Sequence, residues 1–454
     1  MKLARGNSFL VVGLGLSGQA AARLLKRLGC SVWVTEQGRT LAIRQAAKKL
    51  KRAGIHVEWG GHSLKRLNQI DVVVVSPGVN LASPFLKRIK ARRIPIIGEM
   101  ELAARLCSGT IVAISGSNGK STVTSWVTQM LKNSNRHAMA VGNIGRPLSA
   151  SVSSIRRDTR VVLEVSSFQL ETIQTFHPKV ACLLNISKNH LDRHGSFAAY
   201  LAAKRQLLLA QRQGDVAVLN ADDPVLRRLR TSVKGKRLEF SILRRVRGAY
   251  LKGDALMLHL SGRPIRIART GDLRLTGSHN VANALAAMVV ARVSGASVAG
   301  IRGALKSFKG LSHRLERVGR ANGVTFINDS KSTTVEATLV ALEACRNQAV
   351  LIAGGRDKGA NFSKLKKLAK RKLRAAVVFG EHGHRVKAAL DSAIPVTRAK
   401  TVHQAVLCAR SLATAGDQVL FSPMCTSFDM FTDFEERGEV FKAAVRRTGK
   451  SQRP

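Results

Sequence analysis

Apolar runs alternate with helical stretches along the chain, and this alternation starts afresh three times. The first segment has strand-like runs over residues 9–12, 31–34 and 71–75, with helical periodicity over 19–28. The run over 71–75 is almost entirely valine, and a strand without polar alternation is buried on both of its faces. The pattern therefore predicts a parallel sheet that helices cover on both sides.

The second and third segments repeat this pattern with one departure. Their strand-like runs cover residues 110–115, 161–165, 180–185, 216–220, 324–328, 350–353, 375–379 and 418–421. Between residues 248 and 275, short alternating runs broken by Gly and Asp predict a small antiparallel appendage. Helices are predicted over 282–292 and, rich in Lys and Arg, over 364–373.

The predicted fold class is α/β, with three consecutive doubly wound modules. A Rossmann-like domain is expected over residues 1–103 and a central P-loop ATPase-like domain, with the antiparallel appendage, over 104–309. A C-terminal Rossmann-like domain is expected over 310–454. The length of 454 residues agrees with this division, since domains average roughly 150 residues.

Composition places the chain among folded proteins and leaves its charge to be explained. Hydrophobic residues make up 45% and charged residues 23%, which is too apolar for a disordered chain. Lys and Arg number 75 against 28 Asp and Glu, a net charge of +47 that is spread over all three segments. Such a charge attracts polyanions at low salt. Aromatic residues are only 4%, however, and single-strand binders depend on aromatic stacking, so we expect no nucleic-acid partner.

Compartment and assembly can be anticipated from the same composition. The six cysteines show no CxxC pair, which is typical of reduced thiols in the cytoplasm. No apolar run approaches the roughly 18 residues that a membrane span needs, so we expect no membrane span. We expect a cytoplasmic monomer.

A glycine-rich turn, GLGLSG over residues 13–18, follows the first strand and opens a helix. Glu36 lies 18 residues beyond the last glycine of this turn, at the end of the second strand. In such turns the backbone N–H groups approach a diphosphate at a helix N-terminus, while the acid binds a ribose hydroxyl. The pattern predicts a nucleotide diphosphate site and does not separate NAD from a UDP-linked sugar.

A second glycine-containing turn, SGSNGKST over residues 115–122, follows the first strand of the second segment. The strict Walker spacing fails because Ile114 stands where a glycine is required. Small residues that expose backbone N–H groups are nonetheless present, with Lys120 to neutralise phosphate oxygens and Ser121 to hold Mg²⁺. The turn predicts an ATP phosphate site.

Three further residues suggest metal or substrate chemistry in this segment. Glu164 ends a strand beside the phosphate loop, which is a usual place for a metal ligand. His190 follows another strand and could serve Mg²⁺ or an anionic substrate. The pattern alone predicts that Lys204, on a largely apolar helix, is an ordinary lysine with a buried stem and a solvated head.

Several motifs together resemble the Mur ligases of bacterial cell-wall synthesis. SGSNGKST, the NISKNHLDRH segment over residues 185–194 and the GGRDKG segment over 354–359 carry the resemblance to the family. The GLGLSG turn, EVSSFQLE over 164–171 and SPMCTSFD over 422–429 favour its D-glutamate-adding branch. The resemblance spans residues 10–445. It implies an ATP-dependent ligase that joins D-glutamate to UDP-N-acetylmuramoyl-L-alanine through an acyl phosphate, in peptidoglycan synthesis.

The resemblance also implies roles for individual residues. The UDP-linked substrate is expected at Leu16, Ser17, Glu36, Ser76, Gly78 and Asn143. ATP is expected at Gly116, Ser117, Asn118, Gly119, Lys120, Ser121, Thr122, Asn280, Asn283, Arg314 and Asp329. D-Glutamate is expected at Lys331, Thr333, Lys358, Ser427, Phe428 and Phe434. Two Mg²⁺ ions are expected, one at Ser121 and Glu164 and the other at His190 and a carbamylated Lys204. The catalytic residues implied are Lys120, His190 and Lys204.

Other interpretations of the sequence stay open at this point. Another Mur-type ligase would add a different amino acid, and a folylpolyglutamate synthase is disfavoured because its relatives lack this kind of N-terminal module. An NAD-dependent oxidoreductase would use the GLGLSG turn, but it leaves Lys120, Glu164 and His190 unexplained. A polyanion-binding protein would use the +47 charge and would keep binding DNA without Lys120.

Overall fold

Three sheets with helices packed on them form the framework of the chain, so the predicted α/β class is confirmed. The protein, seen here as a computed structural model, is described over residues 6–63, 67–275, 277–345, 347–357 and 359–450. It divides into two compact units, Met1–Phe308 and Lys309–Pro454. The first unit contains two of the three sheets.

The first sheet has five parallel strands in the order β3-β2-β1-β4-β5. Its strands are β1 Ser8–Val12, β2 Ser31–Glu36, β3 His56–Trp59, β4 Val72–Val75 and β5 Ile96–Gly98. Its helices are α1 Leu16–Arg27, α2 Leu41–Arg52, α3 Pro84–Ala91 and α4 Glu99–Leu106. Phe9 and Val11 pack on one face while Leu10 and Val12 pack on the other, as expected for a sheet buried on both sides.

The second sheet has nine strands in the order β14-β13-β12-β11-β10-β9-β6-β8-β7. The strands are β6 Thr110–Ser115, β7 Ala138–Gly142, β8 Arg160–Glu164, β9 Val180–Leu183, β10 Val216–Asn220, β11 Lys236–Ser241, β12 Gly248–Lys252, β13 Ala255–His259 and β14 Ile265–Arg269. The helices are α5 Lys120–Lys132, α6 Ser167–Leu170, α7 Leu191–His194, α8 Phe197–Leu209, α9 Pro224–Arg228, α10 Ser278–Val293 and α11 Val298–Ser307. Short 3₁₀ turns connect several of these elements.

The antiparallel strands expected between residues 248 and 275 are present, and they continue the second sheet. β12 pairs in parallel with β11, and the β12–β13 and β13–β14 pairs are antiparallel. The sheet is therefore mixed, with its parallel part in the phosphate-loop region.

The third sheet, in the second unit, has the order β15-β16-β20-β17-β18-β19. Its strands are β15 Glu316–Ala321, β16 Val324–Asn328, β17 Ala349–Gly354, β18 Leu373–Phe379, β19 Val396–Arg398 and β20 Gln418–Met424. Its helices are α12 Val335–Glu343, α13 Lys366–Lys372, α14 Gly383–Leu390, α15 Val402–Leu412 and α16 Phe434–Lys450. Only the β15–β16 pair is antiparallel among the pairs of this sheet in the described residues.

Helix α4 fastens the first sheet to the second within the first unit. Glu101 on α4 is fully buried and accepts hydrogen bonds from the backbone N–H groups of Gln174, Thr175 and Phe176, at 2.9, 2.9 and 3.0 Å. Arg105, one turn later, donates to the same carboxylate at 2.8 Å. These bonds hold the pKa of Glu101 below its usual value despite burial. A charged carboxylate therefore joins α4 to the loop before β9.

Across the described residues, every helix is too short or too polar to cross a lipid bilayer. All six cysteines are free thiols.

Candidate active site

The SGSNGKST turn forms a loop between β6 and α5. Gly119, at the start of the helix, has a φ of +83°, and a Cβ there would lie 2.5 Å from Asn283 Oδ1. Glycine is required for both reasons. The loop thus brings the first turn of α5, a natural binding site for phosphate, against Asn283 on α10.

Asn185 fixes the conformation of this loop. Its backbone carbonyl accepts from Ser117 N at 2.9 Å, and its Oδ1 accepts from Asn118 N at 2.8 Å. Its amide group donates in return to Asn118 O at 3.1 Å. This role of Asn185 was not predicted, although its position at the end of a buried strand-like run pointed to the same edge of the sheet.

Ser117 links the loop to two other elements. Its hydroxyl lies 2.8 Å from the Tyr200 hydroxyl on α8 and 3.1 Å from Ser187 O. Ser187 N donates back to the same hydroxyl at 2.9 Å. The phosphate loop, the segment that carries His190 and the helix that carries Lys204 are therefore one hydrogen-bonded assembly.

Lys120 and Lys204 converge on one backbone carbonyl. Lys120 Nζ donates to Gly116 O and Ser117 O, both at 2.9 Å. Lys204 Nζ donates to the same Gly116 O at 3.0 Å and to Ser115 Oγ at 2.9 Å. The two nitrogens consequently lie within about 6 Å of each other.

This arrangement makes Lys204 an unusual lysine. Its side chain is 1% exposed, so the sequence-based expectation of an ordinary lysine with a solvated head is wrong. Burial and, next, the charge of Lys120 lower the pKa of Lys204 well below its usual value, against an opposing effect of Glu164. The surroundings of Lys204 therefore disfavour its protonated form.

Glu164 ends β8 next to the phosphate loop and is 2% exposed. Its Oε1 accepts from Asn143 Nδ2 at 2.7 Å, while its Oε2 is buried and has no hydrogen-bond partner among the described residues. A buried carboxylate oxygen without a donor is costly unless a cation or ligand completes it. Ser121, on the first turn of α5, is also buried. These oxygens fit Mg²⁺, which prefers oxygen ligands.

His190 has a left-handed backbone, with φ of +52°, and its ring lies 5.0 Å from the Phe168 ring. Lys204 Nζ lies 5.5 Å from the Tyr200 ring. The His194 ring contacts both Phe168 and Tyr200, at 5.2 and 5.4 Å. His190 and Lys204 thus belong to the same cluster of side chains. In the part of the chain that the structure describes, no three His, Cys, Asp or Glu side chains gather as a metal site, so a metal here would need other ligands too.

The first module places its predicted residues around the GLGLSG turn. Glu36 accepts from Leu14 N and Gly38 N, both at 2.8 Å, so its carboxylate holds the turn itself. Ser76 donates to Gly13 O at 3.2 Å. Of the other residues predicted in this module, Leu16 and Gly78 are exposed and Ser17 is half-buried. Contact of Glu36 with a ribose stays a prediction.

Arg193, in the segment that contains His190, joins that segment to the loop after β4, which also holds Ser76 beside the GLGLSG turn. Its Nη2 donates to Val79 O at 2.7 Å. Its guanidinium carbon lies 5.4 Å from the Phe168 ring. The two predicted nucleotide-binding turns are therefore part of the same unit, and the link runs through the segment that contains His190.

In α10, Asn283 Nδ2 donates to Asn280 Oδ1 at 3.4 Å, which places both expected nucleotide residues on one face of the helix.

In the second unit, Asp329 is 2% exposed and accepts from Ser422 Oγ at 2.9 Å and Leu315 N at 3.1 Å. Burial raises the pKa of Asp329 to about 6, against the lowering effect of its hydrogen bonds. The neighbouring Arg314 is exposed.

The residues expected to bind D-glutamate are partly brought together. Lys331 Nζ lies 5.6 Å from the Phe434 ring. Ser427 is buried, Phe428 is 62% exposed and Thr333 is half-buried. Lys358, predicted to bind the same substrate, lies outside the described residues.

Comparison with known proteins adds a family relationship to this geometry. The profile of the Mur ligase middle domain matches residues 114–291. The MurD-like N-terminal domain profile matches residues 7–98, and the glutamate ligase domain profile matches 313–425.

Two relatives match over nearly their whole length. The UDP-N-acetylmuramoylalanine--D-glutamate ligase of Acidobacterium capsulatum is 42% identical, over 97% of this chain and 96% of the relative. The ligase of the same name from Caldanaerobacter subterraneus is 39% identical, over 96% and 97%. Among solved structures, UDP-N-acetylmuramate-alanine ligase from Thermotoga maritima has a TM-score of 0.59 at 19% identity, over 97% of this chain and 99% of that one. It shares the fold.

Proposed function

The chain belongs to the Mur ligase family, and on this premise we propose that it joins D-glutamate to UDP-N-acetylmuramoyl-L-alanine at the expense of ATP, in peptidoglycan synthesis. Within the structure, the observation that supports this best is the meeting of Lys120 and Lys204 at Gly116 O, beside the buried Glu164. A Rossmann-type oxidoreductase has no use for this arrangement.

The reaction requires activation of a carboxylate. The alanyl carboxylate of the acceptor attacks the γ-phosphorus of ATP, so that an acyl phosphate forms and ADP leaves. The amine of D-glutamate then attacks the acyl carbon, phosphate leaves with the electrons of the broken C–O bond, and the amine loses a proton as the amide forms. Catalysis of such a phosphoryl transfer depends on positioning and on stabilisation of charge.

Lys120 is the residue proposed to stabilise charge on the transferred phosphoryl group. It sits where the N–H groups of the first turn of α5 can bind phosphate oxygens, and its ammonium is held by Gly116 O and Ser117 O. If a phosphate oxygen replaced one of these carbonyls as the acceptor, the Lys120 ammonium would stay close to the negative charge during phosphoryl transfer. The loop, residues Gly116, Ser117, Asn118, Gly119, Lys120, Ser121 and Thr122, is proposed to bind the triphosphate, and Asn280, Asn283, Arg314 and Asp329 the nucleoside.

Two Mg²⁺ ions are proposed to assist. Glu164 and Ser121 would hold one, because no donor in the described part of the chain reaches the buried Oε2 of Glu164. His190 and a carbamylated Lys204 would hold the other. When bound, Mg²⁺ neutralises charge on phosphoryl oxygens.

Carbamylation of Lys204 is supported by its surroundings. A neutral amine attacks carbon dioxide, giving a carbamate and releasing one proton. Burial next to Lys120 disfavours the protonated amine, and the resulting anion would lie beside the positive charge of Lys120. Carbamylation would convert the buried amine of Lys204 into a carboxylate-like metal ligand.

The remaining proposals follow the family. The UDP-linked substrate is proposed to contact Leu16, Ser17, Glu36, Ser76, Gly78 and Asn143. D-Glutamate is proposed to contact Lys331, Thr333, Lys358, Ser427, Phe428 and Phe434. We also propose a cytoplasmic monomer with no nucleic-acid partner, in which the three segments 1–103, 104–309 and 310–454 act as domains.

The specificity can be tested by phosphate release with ATP, Mg²⁺ and UDP-N-acetylmuramoyl-L-alanine. We expect release with D-glutamate and at least ~100-fold less with L-glutamate, because inversion at Cα misplaces the amine or a carboxylate, and misplacement costs orders of magnitude. L-Alanine and a diamino acid test the other Mur-type activities. Release with one of these, and none with D-glutamate, would replace the proposed substrate.

The metal proposal can be tested with Glu164→Gln, which removes the charge while nearly keeping the shape. We expect kcat to fall and the Mg²⁺ concentration for half-maximal activity to rise by about 10-fold or more, in the range found when support of a metal site is lost. Glu171→Gln, on a carboxylate 20% exposed and bonded to His194, is the control for general disturbance. An unchanged Mg²⁺ dependence in folded Glu164→Gln would exclude Glu164 as a ligand.

A further inference from the structure

Arg437, on the first turns of α16, is completely buried, with 0% of its surface exposed. Its guanidinium donates three hydrogen bonds to uncharged acceptors. Nε donates to Ser330 Oγ at 3.0 Å, Nη2 to Ser330 O at 2.7 Å and Nη1 to Cys425 O at 3.0 Å. Burial of a charged side chain costs free energy, which points to a functional reason for the burial of Arg437.

The position of Arg437 connects the segments proposed to bind D-glutamate. Ser330 directly precedes Lys331, and its hydroxyl donates in turn to Phe434 O at 2.8 Å. Cys425 lies two residues before Ser427. A Cβ on Gly355, in the GGRDKG segment, would lie 3.3 Å from Arg437 Nη1.

The charge of Arg437 is not matched by a nearby acid. Among the residues that the structure describes, no carboxylate oxygen lies within 4.0 Å of its guanidinium, and Asp429 acts only at longer range. Burial lowers the pKa of Arg437 to about 10, so it remains a cation at neutral pH. The second unit therefore keeps a buried positive charge behind these segments.

We propose that Arg437 is a positioning residue for the amino-acid substrate. Its guanidinium holds the Ser330–Thr333, Gly355 and Cys425–Ser427 segments and the start of α16 in one arrangement, and its unmatched charge favours binding of a dicarboxylate. The inference rests on the proposed function. Because Arg437 acts through these segments, its loss weakens D-glutamate binding and leaves carboxylate activation largely intact.

The test compares Arg437→Met and Arg437→Lys with the full-length wild-type enzyme. Lysine keeps the charge but cannot reach all three acceptors. We expect KM for D-glutamate to rise about 10- to 100-fold in Arg437→Met and less in Arg437→Lys, in line with the loss of charged hydrogen bonds. We expect KM for ATP and for the UDP-linked substrate to change less than about 3-fold, since the altered contacts serve the amino-acid segments. Arg410→Met is the matched control, because half-buried Arg410 donates to Thr448 O at 3.0 Å near the end of α16, away from the amino-acid segments.

Two results would overturn the inference while the wild type remains active with D-glutamate. One is an unchanged D-glutamate KM in folded Arg437 variants, and the other is an equal rise of all three KM values, as a purely structural role predicts. Should neither variant fold, Ser330→Ala removes one acceptor and one link to Phe434, and an unchanged D-glutamate KM there overturns the inference as well. A wild type that is inactive with D-glutamate rejects the proposed function itself, and the inference falls with it.

Discussion

Replacement of Lys120 by alanine should abolish ATP-dependent phosphate release, with kcat lowered by about 10³-fold or more, the scale set by removal of a cation from a transferring phosphoryl group. Lys120 is the residue at the mouth of β6 whose ammonium is already held by Gly116 O and Ser117 O. Lys204, which shares the acceptor Gly116 O, is buried and is the residue proposed to carry the carbamate, so it supplies no cation in place of the lost one. Phosphate release measured at saturating substrates tests this directly.

The matched control is Lys132→Ala. Lys132 ends the same helix α5 and is exposed, so its loss alters helix charge without reaching the phosphate loop. It should retain nearly full activity. A Lys120→Ala enzyme within about 10-fold of wild type would remove Lys120 from the proposed mechanism, since that loss is far below what a phosphoryl cation contributes.

Lys204→Ala should also be nearly inactive, with about 10²-fold or greater loss of kcat, and small carboxylates should restore part of the activity. Loss of the proposed carbamate removes an anionic ligand, and loss of a metal-binding group costs roughly this much or more. Truncation of a fully buried side chain leaves space beside Ser115 and Gly116 that formate or acetate can enter. Activity measured against formate and acetate concentration tests the role, after a thermal melt has shown that the variant folds.

Lys204→Arg provides the contrasting control, because it introduces a permanent cation that cannot form a carbamate. It should be inactive and should gain nothing from carboxylates. Rescue of Lys204→Ala by methylamine but not by formate or acetate would mean that Lys204 acts as an amine.

The strands that sequence predicted best are those buried on both faces. The runs ending at Val12, Ser115, Asn220 and Asn328 are strands within a residue of the expected limits. Most of the strands that it missed lie at sheet edges, although β11 lies inside the second sheet. β3 and β19 are short. The side chains of β3 alternate between buried and exposed, and those of β19 are mostly exposed, so neither strand has a continuous apolar run.

The candidate site divides in a similar way. Lys120 and Glu164 could be identified because Lys120 lies in the turn after one buried strand and Glu164 ends another, and parallel strands bring their carboxyl ends to one edge. The importance of Lys204 came only from the family resemblance, because its burial depends on Ser115, 89 positions away. Arg437 gave no signal at all, since an arginine in a helix start rich in charged residues is typical of a solvated face.

The bond of Glu101 to the loop at residues 174–176 has a practical consequence for protein engineering. Consider a chimaera that takes its first module from one homologue and the rest from another. If the crossover fell near residue 103, Glu101 and the loop that donates to it would come from different parents. Breakpoints should instead keep α4 and that loop from the same parent, so the exchangeable block is larger than the sheet alone.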